Sequence, residues 1–292
     1  ACLVGSEMCI RDRYRTEHHE QYFCYIMVSS IMCMSRGNKT VVLSMLPVFA
    51  IMFAVLMSIS SGGCKRAKYK VPEEVVIWAL GDPQMLNPIN STDALSGYIQ
   101  SHIYESLMSI DFVTLEQAPY VADSLPVIEK LPDGKMKITY RIRQEAHWDD
   151  ETPITAKDIE FSLKVILCPG VDDEHLKPYY DFVEDLILYP EDPKKLTFLC
   201  KFQYIEAISY SGEVPILDRR ICDPFSSLDK YKVRDFTDSE KIKTIKDDPQ
   251  VNSFVQFFNS ERFMRDTAYV VGSGPYKFVE WVKGRRIVLV RK

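Results

Sequence analysis

"YRIRQEAHWDDETPITAKDIEFSLK", residues 140–164, decides how this chain folds. It sets an alternating basic stretch, a Trp, three consecutive carboxylates, a Pro and a helix-start signal side by side. Asp149, Asp150 and Glu151 are adjacent, so on a strand or turn they point in different directions. A general acid–base pair needs two carboxylates converging on one substrate atom, and neighbours in sequence do not supply that. A hard-cation loop needs alternating oxygen ligands closed by a bidentate Glu, which this run lacks. The local reading is a tight turn made by Asp-Asp-Glu, stiffened by Pro153. Thr155 then caps a helix, with Asp158 three residues on completing a capping box. Ile159, Phe161, Leu163 and Ile166 line that helix. Trp148 is expected to pack under the turn, with the carboxylates forming a solvated face plus one cap.

Working outward, Met136, Ile138, Tyr140 and Ile142 alternate with Lys137, Thr139, Arg141 and Arg143. That is the period of a strand with one buried and one wet face, and Pro132-Asp133-Gly134 joins it to a preceding strand. Upstream, residues 74–80 form a nearly continuous apolar run, expected as a strand covered on both faces and ended by Gly81-Asp82-Pro83. Leu95, Ile99, Ile103 and Leu107 recur at helical spacing, with Thr92 or Asp93 placed to cap the helix. His102 reads as a helix-surface or packing residue rather than a ligand. Residues 238–266 read as two helices around Pro249, dense in Lys and Asp on a solvated face, and as an insertion able to touch a partner.

The chain has 292 residues, of which 46% are hydrophobic and 26% charged, a globular composition long enough for two domains. Its net charge of −5 argues against a nucleic-acid partner, because phosphate neutralisation needs a basic stripe. Residues 1–33 show no periodicity and no capping logic and read as a leader outside the gene product, with Met34 the preferred start. His18 and His19 fall there and are not read as metal ligands. Residues 34–63 read as an export signal: a short basic stretch, an apolar run at 41–60, then small residues before Cys64. The run is also long enough for an uncleaved membrane anchor. "SSGGCK" resembles a bacterial lipoprotein signal, with Ser61 where Leu is usual, and makes Cys64 the expected lipidation site and first mature residue.

Four of the eight Cys (Cys2, Cys9, Cys24 and Cys33) lie in the leader. With Cys64 lipidated, Cys168, Cys200 and Cys222 remain, allowing one disulfide at most; the alternative is three small buried hydrophobes. No zinc spacing is present.

Three blocks then resemble one family. Arg143, Trp148, Asp149, Asp150, Pro153, Thr155, Ala156, Asp158 and Ser162 match the signature of family 5 extracytoplasmic solute-binding proteins, receptors for peptides, dipeptides and nickel in ABC importers. Glu151 stands where that family usually has Gly. "MLNPINSTDALSGYIQSHIYESL" resembles its Leu-Asp-Pro loop and Tyr/Phe-Glu-x-Leu helix, with Asn87 for Asp. "GSGPYKFVEW" resembles its Gly-Thr-Gly-Pro-Tyr strand pair, with Ser273 for Thr. The resemblance spans residues 75–292.

The resemblance implies an α/β, periplasmic-binding-protein-like fold of type II, with mixed sheets and flanking helices. It implies that residues 64–292 are the N-terminal part of the solute-binding domain, most of its first lobe, incomplete at the C-terminus. It implies an extracytoplasmic or periplasmic lipid-anchored receptor, monomeric at full length, that takes a short peptide and passes it to an ABC permease in the inner membrane. No catalysis, cofactor or metal is implied. The ligand contacts implied are the loop of Ser91, Thr92, Asp93 and Ala94, where the family's acidic contact falls on Thr92 with Asp93 as its substitute, and a tyrosine that falls on Tyr179 or Tyr180; Tyr210 is a further candidate. A secreted hydrolase and a structural lipoprotein that kept the fold without a ligand are the competing classes. The first predicts a convergent Ser, His and Asp, although no Gly-x-Ser-x-Gly or HExxH motif is present. The second predicts that no pocket is lined by Asp93 and Tyr179.

Overall fold

Residues 75–173 and 175–292 are described by the structure, a computed structural model. The leader, the export signal and Cys64 lie outside the described residues.

The alternating stretch is a central strand. β1 (Met108–Ile110) and β2 (Gln117–Pro119) pair as a small hairpin. β3 (Val127–Lys130) and β4 (Met136–Arg141) follow, joined through the Pro132-Asp133-Gly134 turn as expected. Met136, Ile138 and Tyr140 of β4 are buried, while Arg141 is exposed. β5 (Val183–Leu188) and β6 (Lys195–Cys200) complete a four-stranded antiparallel sheet in the order β3-β4-β6-β5. Thr139 and Thr197 face each other across β4 and β6, their hydroxyls 2.8 Å apart.

Other elements surround that sheet. α1 is Ala94–Ile103 and α2 is Ala156–Leu167. The short α3 (Ala207–Gly212) and α4 (Arg219–Cys222) precede α5 (Ser239–Lys246), α6 (Pro249–Phe258) and α7 (Glu261–Arg265). β7 (Tyr276–Val282) and β8 (Arg286–Arg291) form a terminal antiparallel hairpin with an irregularity between Phe278 and Glu280.

Thr155 and Asp158 form the capping box at the start of α2, the Thr155 amide donating to Asp158 Oδ2 across 2.8 Å. The helix is more deeply enclosed than its apolar spacing suggests. Asp158, Ser162 and Lys164 are buried with the apolar residues, because other segments cover the face expected to be wet. Ser162 Oγ donates to the Asp158 carbonyl and accepts from the Leu217 amide. Lys164 Nζ reaches Glu160 and the Leu228 carbonyl. Each buried polar group on this helix thus has a partner, which offsets its desolvation.

Four expectations are corrected. Residues 75–80 form no strand, and Trp78 is 92% exposed. An apolar run becomes a strand only against a partner ladder, and the described residues offer it none. α1 ends at Ile103, so Tyr104 to Leu107 lie outside the helix. Its buried face is in part polar, made by Ser96, Gln100 and Ile103. Residues 239–265 form three helices, because Asn259 and Ser260 break the pattern between α6 and α7. Finally, the acidic turn is not a merely solvated face. Asp150 pairs with Arg220 at 2.7 Å and Asp149 with Lys292 at 2.5 Å.

Trp148 is 2% exposed, buried beneath its turn as expected. The Trp148 amide donates to the Thr152 carbonyl at 2.8 Å, and the Glu151 amide to the Trp148 carbonyl at 3.0 Å. Glu151 has φ +65, the left-handed region that favours Gly. The departure from the family pattern at this position therefore falls where a side chain strains the backbone. Cys168, Cys200 and Cys222 are all free thiols in the core. Burial pushes the Cys168 and Cys200 thiols up to about 12.

Candidate functional site

Two groups of residues bear on ligand capture. The first surrounds the start of α1. Asp93 is its N-cap, accepting from the Ser96 amide at 2.9 Å, from the Ser96 hydroxyl, and from the Gln84 amide at 3.2 Å. Desolvation works against its charge, but these hydrogen bonds outweigh it and hold the carboxyl below its ordinary range. The Asp93 side chain is thus committed to joining the helix start to the loop before it. Ser91 is buried and hydrogen-bonds Gln100, whose amide also donates to the Asn87 carbonyl at 3.0 Å. Thr92 and Ala94 remain exposed.

The second group is aromatic. A 3₁₀ turn at Lys177–Tyr180, with Pro178 inside it, presents Tyr179 and Tyr180 in succession and therefore in different directions. Tyr179 is 48% exposed, whereas Tyr180 is 4% exposed and belongs to the core. Burial, and then the nearby charge of Glu213, pushes the Tyr180 phenol well up. The Tyr179 ring meets Tyr210 of α3 with centroids 4.9 Å apart. Tyr210 in turn stacks on Tyr204 at 6.3 Å and 29°, and Tyr204 touches Phe202 and Phe182. Phe182 is buried and anchors the patch, while Phe202 is exposed at its rim.

Of the residues singled out in the sequence, the structure therefore brings Tyr179 and Tyr210 together. Tyr180 is in the core, and Asp93 is hydrogen-bonded to Gln84 and Ser96 at the start of α1. Tyr204 and Phe202 were missed. The signal was available as aromatics six and eight residues before Tyr210, but without the fold nothing related them to Tyr179.

A triad geometry does not assemble around His102. Ser101 Oγ lies 3.4 Å from His102 Nδ1, but that nitrogen is 2.8 Å from the Tyr98 carbonyl. It must carry the proton to make that bond, so it cannot accept one from Ser101. His102 packs edge-on against Tyr98 and Tyr276. Among the described residues, no group of His, Cys, Asp and Glu is arranged to hold a metal ion.

Solved structures share this architecture. The oligopeptide-binding protein AppA of Bacillus subtilis, solved in complex with a nonapeptide, superposes with a TM-score of 0.51 at 22% identity, over 73% of this chain and 35% of that one. An oligopeptide-binding protein of Thermus thermophilus, complexed with a pentapeptide, gives 0.56 at 20% identity, over 75% of this chain and 37% of its own. At these identities the likeness is one of fold, that of a periplasmic binding protein. In sequence, the chain is 24% identical to Bacillus subtilis AppA over 258 residues, 87% of this chain, and spans 41% of that relative. The family described as bacterial extracellular solute-binding proteins, family 5, middle region, matches residues 116–292, and the chain belongs to that family.

Proposed function

We infer that this protein captures a short peptide outside the cytoplasm and delivers it to an ABC permease. The observation that carries the reading is the pairing of exposed Tyr179 with Tyr210, on a chain of family 5 that is similar in sequence and fold to proteins named as oligopeptide-binding. Tyrosine offers a rigid apolar face with a polar rim, suited to an extended backbone whose side chains vary. Thr92 and Ala94 are exposed at the start of α1, where main-chain hydrogen bonds to a peptide give affinity without reading side chains. Asp93 acts there by fixing the loop rather than by touching the ligand. The mechanism is closure of two lobes, with binding free energy biasing an open–closed equilibrium. Lipidation at Cys64 would hold the receptor at the membrane.

The test is a calorimetric titration of full-length protein with a panel of short peptides, nickel chelates and sugars. Saturable binding of at least one peptide at micromolar or tighter supports the reading. Binding of a nickel chelate or sugar with no response to any peptide overturns it.

A further inference from the structure

The aromatic patch carries charge. Glu206, Tyr210 and Glu213 stand four and three residues apart around α3, spacings that put their side chains on one helix face. Glu206 is exposed beside Tyr210, and burial, the phenol of Tyr204, the charge of Glu206 and the phenol of Tyr179 together raise the Tyr210 pKa. Glu213 accepts from Gln117 Nε2 at 3.0 Å and is partly committed, whereas Glu206 makes no salt bridge among the described residues.

The described cation–π contacts are Lys195 over Tyr189, Lys230 over Tyr231 and Arg262 over Tyr269. None covers Tyr179, Tyr204 or Tyr210. Three phenol rings with a carboxylate at their edge, and no cation of the described residues upon them, are complementary to a cation from elsewhere. Exposed Phe202 lies at the rim against Tyr204, where the apolar stem of a long side chain can run.

We propose that the face made by Tyr179, Tyr210 and Tyr204, with Glu206 at its edge, holds the cationic side chain of a Lys or Arg in the bound peptide. This rests on the peptide-capture reading above. The rings attract the cation through their faces, and Glu206 supplies the counter-charge without being buried. Main-chain contacts elsewhere give general affinity, and this face adds a preference for one charged residue.

The experiment compares two pentapeptides with full-length protein, one with a central Lys and the other with norleucine, which keeps the stem and removes the charge. The Lys peptide is expected to bind about 3- to 30-fold tighter, with the advantage shrinking as salt is raised. Glu206→Gln, an exposed change that leaves the core untouched, should reduce that ratio while the norleucine peptide still binds, and Tyr210→Leu should reduce the ratio while weakening both peptides. Equal binding of the two peptides overturns the inference and leaves peptide capture standing. A Lys preference unchanged in both variants places the cation elsewhere and also overturns it. Failure of both peptides to bind removes the peptide-capture reading and this inference with it.

Discussion

The Gly274 amide donates to the Ile103 carbonyl across 2.7 Å, fastening the start of the β7–β8 hairpin onto the end of α1. Beside it the Glu105 amide donates to Ser273 Oγ at 3.2 Å, and Lys292 Nζ reaches the Gly272 carbonyl at 2.6 Å. Two sequence blocks that resemble the family's motifs, far apart in the chain, are therefore one packed joint. The glycines are required by proximity. A Cβ at Gly272 would lie 2.2 Å from the Ile103 carbonyl oxygen, and one at Gly274 2.7 Å from the same atom.

Gly272→Ala should accordingly destabilise the protein by about 1–3 kcal/mol or more, since backbone rather than a flexible side chain must give way. Chemical denaturation of the variant beside Ser273→Ala, which removes only one hydrogen bond, measures it. Equal losses would mean that the joint is loosely packed.

Trp148→Ala should cost about 3–5 kcal/mol, the range for truncating a buried aromatic. A loss under about 1 kcal/mol would contradict its role beneath the turn. Glu151→Gly should instead stabilise the same turn, by up to about 1 kcal/mol, because the left-handed φ costs a side chain and not Gly. The larger unfolded-state entropy of Gly offsets part of that gain. Parallel urea titrations give the sign.

Asp150 accepts two hydrogen bonds from the Arg220 guanidinium, which also pairs with buried Asp218. Arg220, then Thr152, hold the Asp150 carboxyl well below its ordinary value of 3.8. A depressed folded-state pKa gives stability that is present above the unfolded value and lost as pH falls through the folded one. The contribution is thus intact at neutral pH and disappears only below about pH 4. Carboxyl NMR should find Asp150 still ionised where other exposed carboxylates have protonated, and Arg220→Gln should return it to the ordinary range. An unmoved titration in that variant would show that Arg220 is not the cause.

Cys168 and Cys200 should resist maleimide in the native state at pH 8 and react on unfolding, because their thiols are buried and titrate near 12. Rapid native labelling at either position would mean that the core opens readily there.

The fold was legible where local chemistry decides it. The Thr155–Asp158 box and the alternation of β4 each carry their own signal within a few residues, whereas the β7–β8 hairpin was expected only from the resemblance of its Gly-x-Gly-Pro-Tyr block. What stayed hidden depends on partners distant in sequence. Nothing near Asp149 or Asp150 announces Lys292 or Arg220, and a β-rich run at residues 75–80 looks the same with or without a strand to pair with. At the candidate site, adjacent Tyr179 and Tyr180 are chemically equivalent in sequence. Only the 3₁₀ turn separates a half-exposed ring from a buried one, and only α3 brings Tyr210 to the former.

The most direct test of the proposed function is the peptide affinity of full-length protein in which Tyr179 and Tyr210 are both changed to Leu. Tyr189→Leu, at a tyrosine outside the patch, serves as the control, and thermal unfolding establishes that each variant is folded. A loss of about tenfold or more in the double variant, with the control unchanged, is the expected result, in keeping with two aromatic contacts worth roughly 1.4 kcal/mol together. Undiminished affinity in a folded double variant would contradict the assignment of this aromatic face to ligand capture.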